Sequence, residues 1–118
     1  ALKTIEIMER DHLAERSVEI GKTVTERYQA MQEKYSVIGD VRGMGGMIGI
    51  EFVKDNGTKE PATELTTNII DTCARNGLLV EGAGIYGNVI RFLAPLVITD
   101  EQLKAGLDIF EKAVADCL

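Results

Sequence analysis

Met47-Ile48-Gly49-Ile50-Glu51-Phe52-Val53 is the strongest strand signal in the sequence. Its branched and aromatic residues suit a pleated, half-buried surface. Alternation places Met47, Gly49, Glu51 and Val53 on one face of that strand. A glycine inside a strand usually marks the close approach of another backbone or side chain, so Gly49 predicts a tight contact. On the N-terminal side, Gly43-Met44-Gly45-Gly46 reads as a tight connection to a shorter strand over Val37–Arg42. On the C-terminal side, Asp55-Asn56-Gly57-Thr58 reads as a turn.

Further out, the period changes to helical. Leu13, Ile20, Val24, Tyr28, Met31 and Tyr35 step by three, four or seven and form one buried stripe. Residues 1 to about 35 therefore read as helix, broken near Asp11, a good N-cap residue for the longer piece. Pro61 fits the first turn of a second helix whose apolar side is Leu65, Ile69, Ile70 and Cys73, and Gly77 supplies its stop. Leu78–Glu81 and Asn88–Leu93 read as two more strands joined by Gly82–Gly87, and Pro95 ends the ladder. Thr99 and Gln102 stand at capping-box spacing and open a last helix with Leu103, Leu107, Phe110 and Val114 inward. The order predicts an α+β fold. It is a small sheet of three or four mostly antiparallel strands with helices packed on one side.

Composition narrows the function classes. The chain has 118 residues, room for one core and one domain. A net charge of −6 argues against a nucleic-acid groove, which needs clustered Lys and Arg. No apolar run approaches a membrane span. Cys73 and Cys117 have no metal or redox spacing, and a reducing, cytoplasmic setting is the default expectation. His12 is the only histidine, so no nucleophile–base pair can be built around a second one, and a surface or capping role is the simpler reading. The seven lysines lie among polar residues. No complete catalytic set and no metal site is contained in the chain. The first residue is Ala1, with no initiator Met and no cap before Leu2-Lys3-Thr4-Ile5, which predicts a piece of a longer chain cut within a helix.

Two glycine-rich motifs invite a nucleotide reading and fail it. Gly82-Ala83-Gly84-Ile85-Tyr86-Gly87 spells G-x-G-x-x-G, but that fingerprint needs a helix N-terminus next, and a strand-like run follows. A flexible loop closing over something is the better expectation, with Tyr86 at its tip. Asp40–Gly46 lacks the Gly-Lys-Ser/Thr ending of a phosphate loop, and Arg42 and Asp40 are expected to pair structurally.

One arginine stands apart. Arg91 lies inside Asn88-Val89-Ile90-Arg91-Phe92-Leu93-Ala94-Pro95-Leu96, on the strand face of Val89 and Leu93. A guanidinium among apolar neighbours must reach water or meet an anion, because burying it unpaired is very costly. Its fork matches a carboxylate or phosphate with two parallel hydrogen bonds. By spacing alone the ordinary outcome is a packed stem and a solvated head.

Gly39-Asp40-Val41-Arg42-Gly43-Met44-Gly45-Gly46-Met47-Ile48-Gly49-Ile50-Glu51 resembles the segment that opens the sheet in the C-terminal domain of class III aminotransferases, pyridoxal-phosphate enzymes of fold type I. Gly84–Thr99, around Arg91, is similar to the second hallmark of that domain. Lys59–Thr63 and Ile85–Asn88 most resemble the 4-aminobutyrate, or ω-amino acid, branch. The resemblance implies that residues 1–118 are the C-terminal small domain, with 1–10 the end of the interdomain connecting helix. It implies that the Schiff-base lysine, the aspartate beside the pyridine nitrogen and the phosphate cup belong to a large N-terminal domain. This chain alone would then hold no cofactor and transaminate nothing. It implies that Arg91 binds the α-carboxylate of glutamate or 2-oxoglutarate, paired by a large-domain glutamate when an ω-amine is bound. Gly84 and Tyr86 would border the same substrate site. The partners implied are the large domain, a small dicarboxylate or ω-amino acid, and a second copy in a homodimer. The alternative is a free-standing regulatory module with its own carboxylate site.

Overall fold

Ile48, Ile50 and Phe52 are each no more than 2% exposed, so the alternation of this stretch is realised with one face entirely covered. The computed structural model describes residues 1–118. Its elements are α1 (Leu2–Arg10), α2 (Leu13–Lys34), β1 (Ile38–Met44), β2 (Met47–Phe52), α3 (Thr63–Arg75), β3 (Glu81–Ala83), β4 (Val89–Phe92) and α4 (Asp100–Asp116). The four strands form one sheet in the order β1-β2-β4-β3, antiparallel throughout. Helices α2 and α3 cover one face of the sheet and α4 packs on those two helices. This is the expected α+β layering.

The stripe on α2 is buried at Ile20, Val24, Tyr28 and Met31. Each such side chain contributes about 1.5–3 kcal/mol of burial. The α4 side answers with Leu103, Leu107, Phe110 and Val114, and the Tyr28 and Phe110 rings lie 5.1 Å apart. The hairpin between β1 and β2 is clamped to α2. A Cβ on Gly21 would lie 2.0 Å from the Gly45 carbonyl oxygen, and Ser17 Oγ accepts a hydrogen bond from the Gly46 amide at 2.8 Å. Gly45 itself turns at φ 51°, a conformation glycine adopts without strain.

Several local expectations are corrected. Asp11 does not cap α2; it closes α1, and Arg10 takes both of its carboxylate oxygens. The residue before α2 is instead His12, in a left-handed conformation and without a capping hydrogen bond. Pro61 lies outside α3, which starts at Thr63, and forms an isolated bridge to Val53. The third strand is Glu81–Ala83 rather than Leu78–Glu81. Continued in register, Val80 would face Phe92, Leu79 would face Leu93 and Leu78 would face Ala94, the residue whose backbone Pro95 restricts. Gly77 stops α3 at φ 85° as expected, and the Thr99–Gln102 capping box is formed in both directions.

Candidate functional site

Antiparallel register lines up four residues across the helix-free face of the sheet: Arg42, Gly49, Arg91 and Glu81, one from each strand. The face is fixed by its neighbours. Ile90 is fully buried in the core, so Arg91 beside it points the other way. A Cβ on Gly82 would touch Ile70 of α3, so Glu81 beside it also points away from the helices. The next row carries Asp40, Glu51, Val89 and Ala83.

The two arginines differ in how fully they are paired. Arg42 Nη1 donates to Asp40 Oδ2 at 2.6 Å and to Glu51 Oε2 at 2.8 Å. Those two carboxylates, Asp40 first, hold its pKa above the ordinary arginine value. The expected Asp40–Arg42 pair is therefore present, with Glu51 as a second acceptor that the sequence reading did not name. Arg91 has a single carboxylate partner. Its Nη2 donates to Glu81 Oε2, while its Nε is buried and has no partner. The Arg91 side chain is 34% exposed and that of Glu81 67%.

Gly49 separates these cations. The expected tight contact is absent: a Cβ there would meet Val89 at 3.5 Å, an ordinary contact. Its missing side chain instead leaves a hollow of about 540 Å³ whose walls include Arg42, Met47, Gly84, Val89 and Arg91. A second hollow of about 420 Å³ touches Arg91 where Leu78–Val80 and Leu93–Pro95 separate, and α4 lines it with Leu103, Leu107 and Phe110. Its walls are mainly apolar, and Arg91 is its only cationic side chain.

The remaining candidates are sorted by the same geometry. Gly84 borders the larger hollow; Tyr86 is 63% exposed at the tip of the turn and lines neither one. Hydrogen bonds tie the turn and the residue after it to the rest of the fold. Thr63 Oγ1 donates to the Tyr86 carbonyl at 2.6 Å, and the buried Asn88 donates through Nδ2 to the Phe52 carbonyl at 2.9 Å. His12 is exposed, 3.8 Å from Glu15. Burial pushes the Cys73 thiol up to about 11, which suits a packing role and not a nucleophile. Sequence reading missed Glu81 as the partner of Arg91, although strand alternation would have shown it once the register was known.

The aminotransferase class-III family profile matches residues 1–114. The chain belongs to the class-III aminotransferases. A Bacillus subtilis protein named a probable 4-aminobutyrate aminotransferase is 45% identical over 111 residues, covering 94% of this chain and 26% of that protein. A Pyrococcus horikoshii protein named an alanine/serine racemase is 41% identical over 115 residues, covering 98% of this chain and 24% of that one. An amine transaminase from an uncultivated Pseudomonas species, solved in its PLP-bound form, superposes with a TM-score of 0.87 at 32% identity. That match covers 99% of this chain and 26% of the solved one. The chain thus spans about a quarter of the length of these relatives.

Class-III aminotransferases depend on pyridoxal phosphate. No lysine lines either hollow beside Arg91. On its open face this class-III aminotransferase chain presents Arg91, paired to Glu81 through Nη2.

Proposed function

We propose that this chain is the substrate-carboxylate-binding C-terminal domain of an aminotransferase that moves an amino group from an ω-amino acid to 2-oxoglutarate. The observation that carries the proposal is Arg91: a guanidinium on the helix-free face, bordering an open hollow, with one nitrogen buried and unpartnered. An arriving carboxylate would meet the terminal nitrogens of the guanidinium with two parallel hydrogen bonds. In this reading the cofactor and its lysine are held by a larger domain outside these residues. The cofactor supplies the bond chemistry when bound, and Arg91 fixes the substrate's position against it. Gly84, at the rim, lets the substrate pass close to the backbone, and Tyr86 stands further out, where a second lobe could bring it to the ligand. The names of the relatives favour 4-aminobutyrate as donor, and the racemase among them shows that identity near 40% does not fix the substrate. Homodimerisation and a cytoplasmic setting belong to the same proposal. No helix is long and apolar enough to cross a membrane.

The test is Arg91→Lys in the full-length protein. Lysine keeps the charge and loses the fork, so the glutamate half-reaction should lose about 1.5–3 kcal/mol of transition-state stabilisation. Unchanged glutamate kinetics would overturn the assignment. Calorimetric binding of 2-oxoglutarate by the 118-residue chain alone would point instead to a self-sufficient module.

A further inference from the structure

We infer that the hollow of about 420 Å³ between the sheet and α4 is a binding site for a small neutral molecule, an aromatic ring carrying one oxygen. The inference does not rest on the carboxylate reading of Arg91. The hollow lies on the helix side of the sheet, between Phe92 and the α4 residues Leu103, Leu107 and Phe110. Its volume falls within the range of small-molecule pockets, about 300–1,000 Å³. The charged residues that line it are Glu81 and Arg91, which pair with each other, so the walls carry no net charge. Glu81 and Gln102 are exposed and mark the mouth. Tyr28 is 2% exposed and marks the floor. A neutral, largely apolar molecule is the occupant such walls accept without an unpaired charge.

Two features of the lining are unexplained by packing. The first is the Tyr28 hydroxyl. A buried tyrosine normally finds a hydrogen-bond partner, and this one has none within the chain. Arg91 Nε is the only fully enclosed polar side-chain atom left without a partner, so the Tyr28 oxygen is not sealed by protein and keeps contact with the hollow. Burial raises the phenol's pKa above its ordinary value, so it stays protonated and able to donate. A water on that oxygen needs two to four polar partners, and the buried side chains around it, Leu103, Leu107 and Phe110, offer none. The second feature is Gly106, inside α4, where glycine is a poorer helix former than alanine. A Cβ there would meet only Leu78, at 3.5 Å, an ordinary contact, so no close approach demands the glycine. Its missing side chain holds one wall of the hollow back. A ring lying against Phe110, with its oxygen on the Tyr28 hydroxyl, uses both the space and the unpaired donor.

The experiment titrates full-length protein with p-cresol and with toluene, two probes that differ by one hydroxyl, and follows binding by saturation-transfer NMR. p-Cresol should bind saturably and more tightly than toluene. Tyr28→Phe removes one oxygen and keeps the packing. It should weaken p-cresol by about two- to tenfold, the range for one neutral hydrogen bond, and leave toluene unchanged. Gly106→Leu should fill the hollow and abolish binding of both probes, with the circular dichroism spectrum of the folded protein retained. Absence of saturable p-cresol binding to the wild type overturns the inference. Binding that survives Gly106→Leu at wild-type affinity puts the probe elsewhere and overturns it too. A Tyr28→Phe variant that affects both probes equally, or neither, contradicts the assigned oxygen contact. Where Gly106→Leu does not fold, the difference between the two probes in Tyr28→Phe decides alone.

Discussion

A guanidinium on a strand can be solvated, paired or left waiting, and Arg91 divides these states among its own nitrogens. One donates to Glu81, one is buried without a partner, and about a third of the side chain is exposed. Gly49 matters as much as the arginine, because it keeps the space between Arg42 and Arg91 open. Gly49→Leu should fill that space from a position with room for a Cβ. Full-length Gly49→Leu is expected to stay folded, with its melting temperature little changed, while KM for 2-oxoglutarate rises at least severalfold. A leucine variant with wild-type KM would show that the hollow is not on the substrate's path. Arg91 was legible in the sequence because a charge in an apolar run is conspicuous. Gly49 was legible as unusual but was assigned the wrong cause. Strand alternation shows which face a glycine shares; it does not show whether the space beside it is crowded or vacant.

At the scale of elements, the site is held by contacts far from Arg91. The β1–β2 hairpin that carries Arg42 and Gly49 is seated on α2 through Gly21, Ser17 and Gly45. Gly21→Ala forces a methyl group against a backbone carbonyl and is expected to destabilise the chain by about 1–3 kcal/mol in urea unfolding. Alanine is the better helix former, so a stabilised Gly21→Ala would show that the seat is loose. Thr99→Ala removes the acceptor of the Gln102 amide and should cost about 1 kcal/mol, with α4 fraying at its start. The capping box was legible because both of its partners lie within four residues. Asp11 was misread because its neighbour Arg10 claims the carboxylate, and β3 was placed three residues early because its pairing depends on where β4 ends. Local chemistry writes caps and turns into the sequence; register is decided by the strand next door.

At the scale of the whole molecule, ion pairs hold α4 against α2. Glu111 accepts from Lys34 at 3.0 Å and from Arg27 at 2.7 Å, and Asp108 accepts from Arg27 at 2.8 Å. Lys34 first, then Arg27, holds the Glu111 carboxyl below its ordinary value; Lys104 and Arg27 do the same for Asp108. Both folded-state pKa values are depressed, so the unfolded chain binds protons more readily. The stabilisation is present above the unfolded value and is lost as pH falls through the carboxylate range. In urea titrations, the stability difference between wild type and Glu111→Gln should shrink as pH drops below the ordinary glutamate value of 4.5. A difference that stays constant down to pH 3 would contradict the assignment. The layering itself was legible, since three helical stripes and alternating strands demand one shared core. What meets the helix-free face was not, because Met44, on the Arg42 side of β1, is 88% exposed with nothing in the chain over it.

The most direct measurement is a crystal structure of the full-length protein with 2-oxoglutarate bound. One substrate carboxylate should lie on the Arg91 fork with two nitrogen–oxygen distances of about 2.7–2.9 Å. A substrate carboxylate held by other groups, with none on the Arg91 fork, would contradict the clamp.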